Sequence, residues 1–213
     1  MNDVYKLTSP RNENVFIHLV KGHFVSANNH INYYIGTSDV KHNHDVSVDT
    51  AMLLAEYYNT NEIQPDTVLC LYETQTLGAY LAHELSRPNM YRYDSKREIY
   101  VVGSEYDASG NIIFRDNLVR MIKNKNVIVL ISAITSGKTV ERAMESVQYY
   151  GGNVIGISSV FSAGDTINDI HVNTIFSGRE IPDYRAYQSH DCPLCREGVP
   201  VMAIVNSYGY SVL

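Results

Sequence analysis

The apolar run Val127 to Ile131 has no polar interruption, which suits a strand buried on both faces rather than a half-exposed one. Beyond it, Val140, Ala143, Met144, Val147 and Tyr150 fall at helical spacing. Gly151-Gly152 stops that helix, because glycine accepts the left-handed conformation a helix C-terminus favours. A second apolar run, Val154 to Val160, follows at once. Strand, loop, helix and strand in this order predict a crossover between parallel strands, and so an α/β fold.

The same alternation occurs earlier. Thr67 to Tyr72 reads as a buried strand, and the helix after it puts Leu77, Leu81, Ala82 and Leu85 on one side. A doubly wound sheet repeats its units in this way. Upstream, Asp45 or Ser47 is placed to cap a helix carrying Val48, Met52, Leu53, Leu54, Tyr57 and Tyr58. Residues 1–12 read as a loose arm, broken at Ser9-Pro10, and Asn14 to Lys21 as a short helix with Val15, Phe16, Leu19 and Val20 on its apolar side. Ile31 to Ile35 predicts a strand. Two more short strands are expected at Met90–Tyr93 and Glu98–Val102, then a polar loop from Gly103 to Gly110 before Asn111 to Phe114. His171 to Phe176 suits a last core strand, and Val199 to Val205 an edge strand or a subunit contact.

With 213 residues and 45% hydrophobic content, the chain can bury a sizeable core, and one domain is the expectation. A net charge of -6 and a pI near 5.7 argue against broad electrostatic binding to nucleic acid. No apolar run approaches a membrane span, and the first residues are too polar for a secretory signal. Three cysteines fit a reducing compartment, so a cytoplasmic protein is expected.

The chemistry concentrates in Thr135-Ser136-Gly137-Lys138-Thr139, between the buried strand and its helix. Backbone N–H groups at a helix start favour an anion, glycine allows close approach, and the hydroxyls of Thr135, Ser136 and Thr139 can donate to phosphate oxygens. An ordinary capped turn is the alternative, since Ser and Thr are common caps. It is not a P-loop, because the first glycine that motif needs falls on Ser132. Glu73-Thr74-Gln75-Thr76 opens the earlier helix in the same manner, with Thr74 or Thr76 available as caps. Cys192 and Cys195 form a CxxC pair that could supply two zinc ligands, with His190 and one more group, such as Cys70 or another histidine, completing a set. A plain turn is the simpler reading, and a redox dithiol lacks its thioredoxin-like context.

The stretch from Val127 to Thr139 resembles the phosphoribosyl-pyrophosphate motif of type I phosphoribosyltransferases. There a hydrophobic strand meets two acidic residues and then a Thr/Gly-rich loop. Val127–Ile131 and Ile134–Thr139 match, while the acidic pair is replaced by Ser132-Ala133. The segment KGHFVSANNHINYYIG is similar to the N-terminal region of orotate phosphoribosyltransferases, with Ala27 where that family carries a lysine that contacts the orotate carboxylate. The family's mobile basic loop corresponds here to a loop with Glu105 and Asp107 and no basic residue, Lys96 and Arg97 lying just ahead of it.

The resemblance implies a central parallel sheet flanked by helices, with a small N-terminal hood over about residues 1–40. Residues 1–180 would form the phosphoribosyltransferase-like domain, and residues 181–213 a C-terminal extension packed on it. It implies a homodimer that, with Mg²⁺, transfers phosphoribosyl from phosphoribosyl pyrophosphate to a nucleobase in pyrimidine biosynthesis. By the same resemblance, Thr135, Ser136, Gly137, Lys138 and Thr139 would hold the 5′-phosphate. Ser132 and Ala133 would face the ribose, Glu73, Thr74, Gln75 and Thr76 the pyrophosphate, and Phe24 and Ala27 the base. The replaced acidic pair leaves a second reading open, a non-catalytic sensor of a nucleotide or ribose phosphate that signals to a protein partner. A third is a nucleotide hydrolase using Glu73 or a histidine as base.

Overall fold

The computed structural model describes residues 4–87 and 98–213. The expected strand at Met90–Tyr93, with Lys96 and Arg97, lies outside the described residues.

The chain begins in a sheet. β1 (Val4–Ser9) pairs antiparallel with β2 (Asn12–Val25), which pairs in turn with β3 (His30–Gly36). Val4–Ser9 is a strand where a loose arm was expected, and the helix at Asn14–Lys21 does not form. Val15, Ile17 and Leu19 are buried at a period of two, the repeat of a strand, and these branched and apolar side chains pack well on a pleated face. The adjacent pairs Val15-Phe16 and Leu19-Val20 had imitated a helical stripe. The strand register shifts between Lys21 and Phe24. Beyond the shift, Phe24 packs with Ile31, Ala203 and Val205 in a small core of its own.

Two helices follow, α1 (Ser38–His42) and α2 (His44–Thr60). The cap of α2 is Asn43, whose side chain accepts from the N–H groups of Asp45 (3.1 Å) and Val46 (3.4 Å), so neither Asp45 nor Ser47 performs it. The core then alternates through β4 (Thr67–Cys70), α3 (Gln75–Ser86) and β5 (Tyr100–Gly103). A hairpin of β6 (Glu105–Tyr106) and β7 (Ile112–Ile113) leads by α4 (Asp116–Val119) to β8 (Asn126–Ile134). Next come α5 (Lys138–Tyr149), β9 (Asn153–Ser162), β10 (Thr166–Ile167) and β11 (Ile170–Ser177).

The core sheet runs β10-β11-β9-β8-β4-β5, parallel throughout except for the short β10–β11 pair. β8 lies near its centre, and its side chains divide between two layers. Ile128 and Leu130 join Leu54, Leu77 and Leu81 on one face. Val127, Val129 and Ile131 join Val140, Ala143 and Val147 of α5 on the other. A strand buried on both faces requires an uninterrupted apolar run, which this one has. Tyr58 fixes α2 to the sheet through a 2.7 Å hydrogen bond between its hydroxyl and that of Ser158.

The C-terminal segment returns to the first sheet. β12 (Ala186–Tyr187) pairs with β3, the one-turn helix α6 (Pro193–Arg196) follows, and β13 (Ala203–Asn206) and β14 (Gly209–Val212) complete an order β12-β3-β2-β13-β14, with β1 also on β2. β13 is parallel to β2 and internal, not an edge; β14 takes the edge. This second sheet also has six strands; it draws three of them from residues 186–212 and is called the hood below.

Candidate functional site

A cavity of about 190 Å³ lies between the C-terminal end of β8 and the hood. That is several times the ~30 Å³ of one water. Its position follows a general rule for open α/β sheets, in which ligands bind beyond the carboxyl ends of the strands. The floor comes from the core: Ser132 and Ala133 at the end of β8, then Thr135, Ser136, Gly137 and Thr139. The roof comes from the β2–β3 turn (Ser26, Ala27, Asn28), from Ile31 and Tyr34, and from the β13–β14 turn around Asn206 to Gly209. Lys41 of α1 and Tyr72 at the end of β4 close the sides.

The loop floor is shaped by one glycine. Gly137 is the residue before α5 and sits at φ +79°, in the left-handed region that glycine enters without cost. A Cβ there would also come within 3.3 Å of Ile167. No side chain caps α5. The first N–H groups of a helix have no intrahelical partner, and here Gly137, Thr139 and Val140 at that helix start line the cavity. Lys138 is exposed and does not line the cavity.

The loop after β4 takes a different role. Thr74 is buried, and its hydroxyl donates inward to the carbonyls of Leu71 (2.9 Å) and Leu130 (3.3 Å). Glu73 turns to Lys41 (3.5 Å) and His42 (3.8 Å). Gln75 packs over Gly103, and Thr76 is exposed. None of Glu73, Thr74, Gln75 and Thr76 lines the cavity; Tyr72 does, with a backbone at φ +55°. A bulky residue held there is strained, and such strain persists only where surrounding structure enforces it. Of the two base-side residues, Ala27 lines the cavity and Phe24 packs into the hood core.

Sequence reasoning missed Lys41. Its side chain is only 2% exposed, and its ammonium donates to the Ser207 carbonyl at 2.7 Å. It is the sole charged residue on the cavity wall among the described residues. It was missed because α1 has too few residues for a pattern. The tyrosines around the cavity were also unforeseen. The rings of Tyr34 and Tyr210 meet edge to face at 4.9 Å, and Tyr72 stacks on Tyr106 at 5.2 Å while meeting Tyr208 at 5.8 Å. Burial, with Tyr210 alongside, pushes the Tyr34 hydroxyl above its ordinary value, so it remains a neutral donor.

The two carboxylates of the 103–110 loop are engaged locally. The Arg115 guanidinium forms two hydrogen bonds with Glu105, holding that carboxyl below its usual range. The backbone N–H of Asn111 does the same for Asp107, with lesser help from the Asn111 side chain and the N–H groups of Ser109 and Gly110. Asp107 shapes the hairpin tip, and Glu105 is neutralised where it stands.

Cys192 and Cys195 lie on the hood, away from the cavity wall, against His23 and His30. His190 and Cys70 are not part of that group. Cys70 is buried under α3, and burial pushes its thiol up to about 12.

No protein-family model matches the chain. In structure it is similar to the orotate phosphoribosyltransferase of Aeropyrum pernix, with a TM-score of 0.55 over 76% of this chain and 89% of that one, at 15% identity. The fold is that of the type I phosphoribosyltransferases. In sequence the chain is 25% identical over 202 residues to the orotate phosphoribosyltransferase of Carboxydothermus hydrogenoformans, covering 94% of this chain and 95% of that one. It is 27% identical over 110 residues to the enzyme of the same name from Caldanaerobacter subterraneus subsp. tengcongensis, where the match spans 52% of this chain and 57% of the relative. Ser132 and Ala133, the positions where the resemblance expects an acidic pair, both lie on the cavity wall.

Proposed function

We propose that this protein binds a phosphoribosyl compound in the cavity and transfers the phosphoribosyl group from phosphoribosyl pyrophosphate to a nucleobase. The observation that carries the reading is the uncapped start of α5, with Gly137 left-handed, opening into a cavity that Ser132 shares. In the proposed arrangement the N–H groups of α5 and the hydroxyls of Thr135, Ser136 and Thr139 hold the 5′-phosphate. Ser132 meets a ribose hydroxyl, and the base lies among Ala27, Tyr34 and Tyr208.

The transfer itself needs little covalent work from side chains. A ring nitrogen of the base attacks C1 of the ribose, the bond from C1 to the pyrophosphate oxygen breaks, and pyrophosphate leaves with the electron pair. The nitrogen then loses its proton to solvent. Positioning and charge stabilisation supply the rate. Among the described residues, Lys41 is the cationic group on the cavity wall available to the leaving group's growing negative charge.

The resemblance implies Mg²⁺, but the wall offers no carboxylate among its described residues. Protein-held Mg²⁺ usually has one or two carboxylates beside substrate phosphates. This chain's donor set does not form such a site. That same lack favours the second reading, a protein that holds a ribose phosphate or nucleotide without turning it over.

Calorimetric titration with phosphoribosyl pyrophosphate, ribose 5-phosphate and nucleoside monophosphates, each with and without Mg²⁺, separates the readings. The proposal expects saturable donor binding, and pyrophosphate release when the right base from a panel is added. Binding of ribose 5-phosphate or a monophosphate with no release from any base would establish the sensor instead. Binding of none of them would remove both.

A further inference from the structure

Four side chains from distant parts of the sequence converge on the hood. His23 comes from β2, His30 from the start of β3, Cys192 from just before α6, and Cys195 from within it. His23 Nε2 is 2.9 Å from His30 Nδ1 and 3.7 Å from each sulfur. Cys195 Sγ is 3.3 Å from His30 Nδ1. All four atoms lie within 4.8 Å of one another.

We propose that His23 Nε2, His30 Nδ1, Cys192 Sγ and Cys195 Sγ form a tetrahedral zinc site that clamps the C-terminal segment to the hood. A tetrahedron with Zn–N near 2.0–2.1 Å and Zn–S near 2.3 Å has edges of about 3.3 to 3.8 Å. The four separations given above lie in or within about half an ångström of that range, and the other two are within 4.8 Å. Two thiolates and two imidazoles suit zinc over the oxygen-seeking cations.

A second observation points to a metal. His23 is 1% exposed, and its Nδ1 lies 2.8 Å from the carbonyl oxygen of Val199. A carbonyl accepts, so Nδ1 carries the proton and Nε2 presents its lone pair to the cluster. Metal-binding histidines are oriented by such a bond through the other ring nitrogen. Cys192 is also 1% exposed, so half of the ligand set is shut off from water.

The ligand count also assigns the role. Four protein ligands leave no open position for substrate, so the site is structural. None of the four lines the cavity, yet the ligands bracket two of its walls. The turn Ser26–Asn28 lies between His23 and His30. The Asn206–Gly209 turn follows the CxxC by way of β13, which meets β2 in register at only two residues, Ala203 with Phe24 and Ile204 with Val25. One more bond, from the Met202 N–H to the His23 carbonyl at 2.8 Å, supports that seam. Zinc would add a further link there, beside the Phe24–Ala203–Val205 core and the Lys41–Ser207 bond.

The test is independent of any sugar phosphate. Full-length protein purified under reducing conditions without chelator is analysed for metal, then stripped and reloaded with Co²⁺. The expected result is about one zinc per chain, with intense visible bands and sulfur-to-metal charge transfer in the cobalt form, both signs of a tetrahedral thiolate site. Cys195→Ser, at an exposed position, should lose the metal while retaining its circular-dichroism spectrum. Should that variant fail to fold, release of zinc from wild-type protein on titration with a mercurial gives the same answer. A metal-free native chain that also refuses Co²⁺, or a cobalt spectrum without sulfur charge transfer, overturns the site. A Cys192–Cys195 disulfide in protein kept under reducing conditions does so too.

Discussion

The ammonium of Lys41 donates to the carbonyl oxygen of Ser207 at 2.7 Å, joining the first helix after the hood to the last hairpin of the chain. Glu73 stands 3.5 Å from the same ammonium and is half exposed. One buried cation thus ties the roof of the cavity to the loop after β4, and an ammonium with three hydrogens retains one for an anion.

Lys41→Met keeps the apolar stem and removes the charge. Binding of phosphoribosyl pyrophosphate should weaken roughly tenfold or more, since a hydrogen bond to a charged group is worth about 1.5–3 kcal/mol, while ribose 5-phosphate, which lacks the pyrophosphate, should be affected less. Calorimetry with the two compounds measures this directly. Affinity within experimental scatter of wild type, in a variant that melts normally, would remove Lys41 from the site.

The loop makes an internal comparison possible. Thr139→Ala takes a hydroxyl from the cavity wall and should cost about 0.5–1.5 kcal/mol of phosphate binding. Lys138→Ala changes an exposed side chain off the wall and should fall within about 0.5 kcal/mol. Gly137→Ala should do worst, because a left-handed alanine costs about 1–2 kcal/mol before its contact with Ile167 is counted. Lys138→Ala weakening binding more than Thr139→Ala would contradict this placement of the loop.

The hairpin tip carries a pH signature. Asp107 accepts from the N–H groups of Asn111 (2.9 Å) and Ser109 (2.8 Å), and its folded carboxyl titrates below the ordinary range. Its contribution is therefore present above the unfolded value of about 4 and is lost as pH falls through the lower folded value. Above pH 5 the Ser109 and Asn111 amide resonances should not move with pH, and they should shift only in strong acid. Asp107→Asn should abolish that acid transition. A transition at pH 4 or above would show the carboxyl to be free.

What the sequence by itself determined was the core. The continuous apolar run in β8, the helical stripe of α5 and the Gly151-Gly152 stop after it each point to one local structure, because burial on two faces tolerates no polar break. The ITSGKT loop was legible for the same reason: it joins two elements whose positions were already fixed. The hood was not legible. In β2 the neighbouring apolar pairs allowed a helical count, and only pairing with β1, β3 and β13 selects the strand. Lys41, Tyr72 and the Asn206–Gly209 turn share the cavity although Lys41 and Gly209 stand 168 positions apart in the chain (209 − 41). The CxxC likewise showed two ligands where the fold gathers four. Local propensity reaches a few residues along the chain, whereas a site assembled from both ends of it exists only once two sheets have closed on each other.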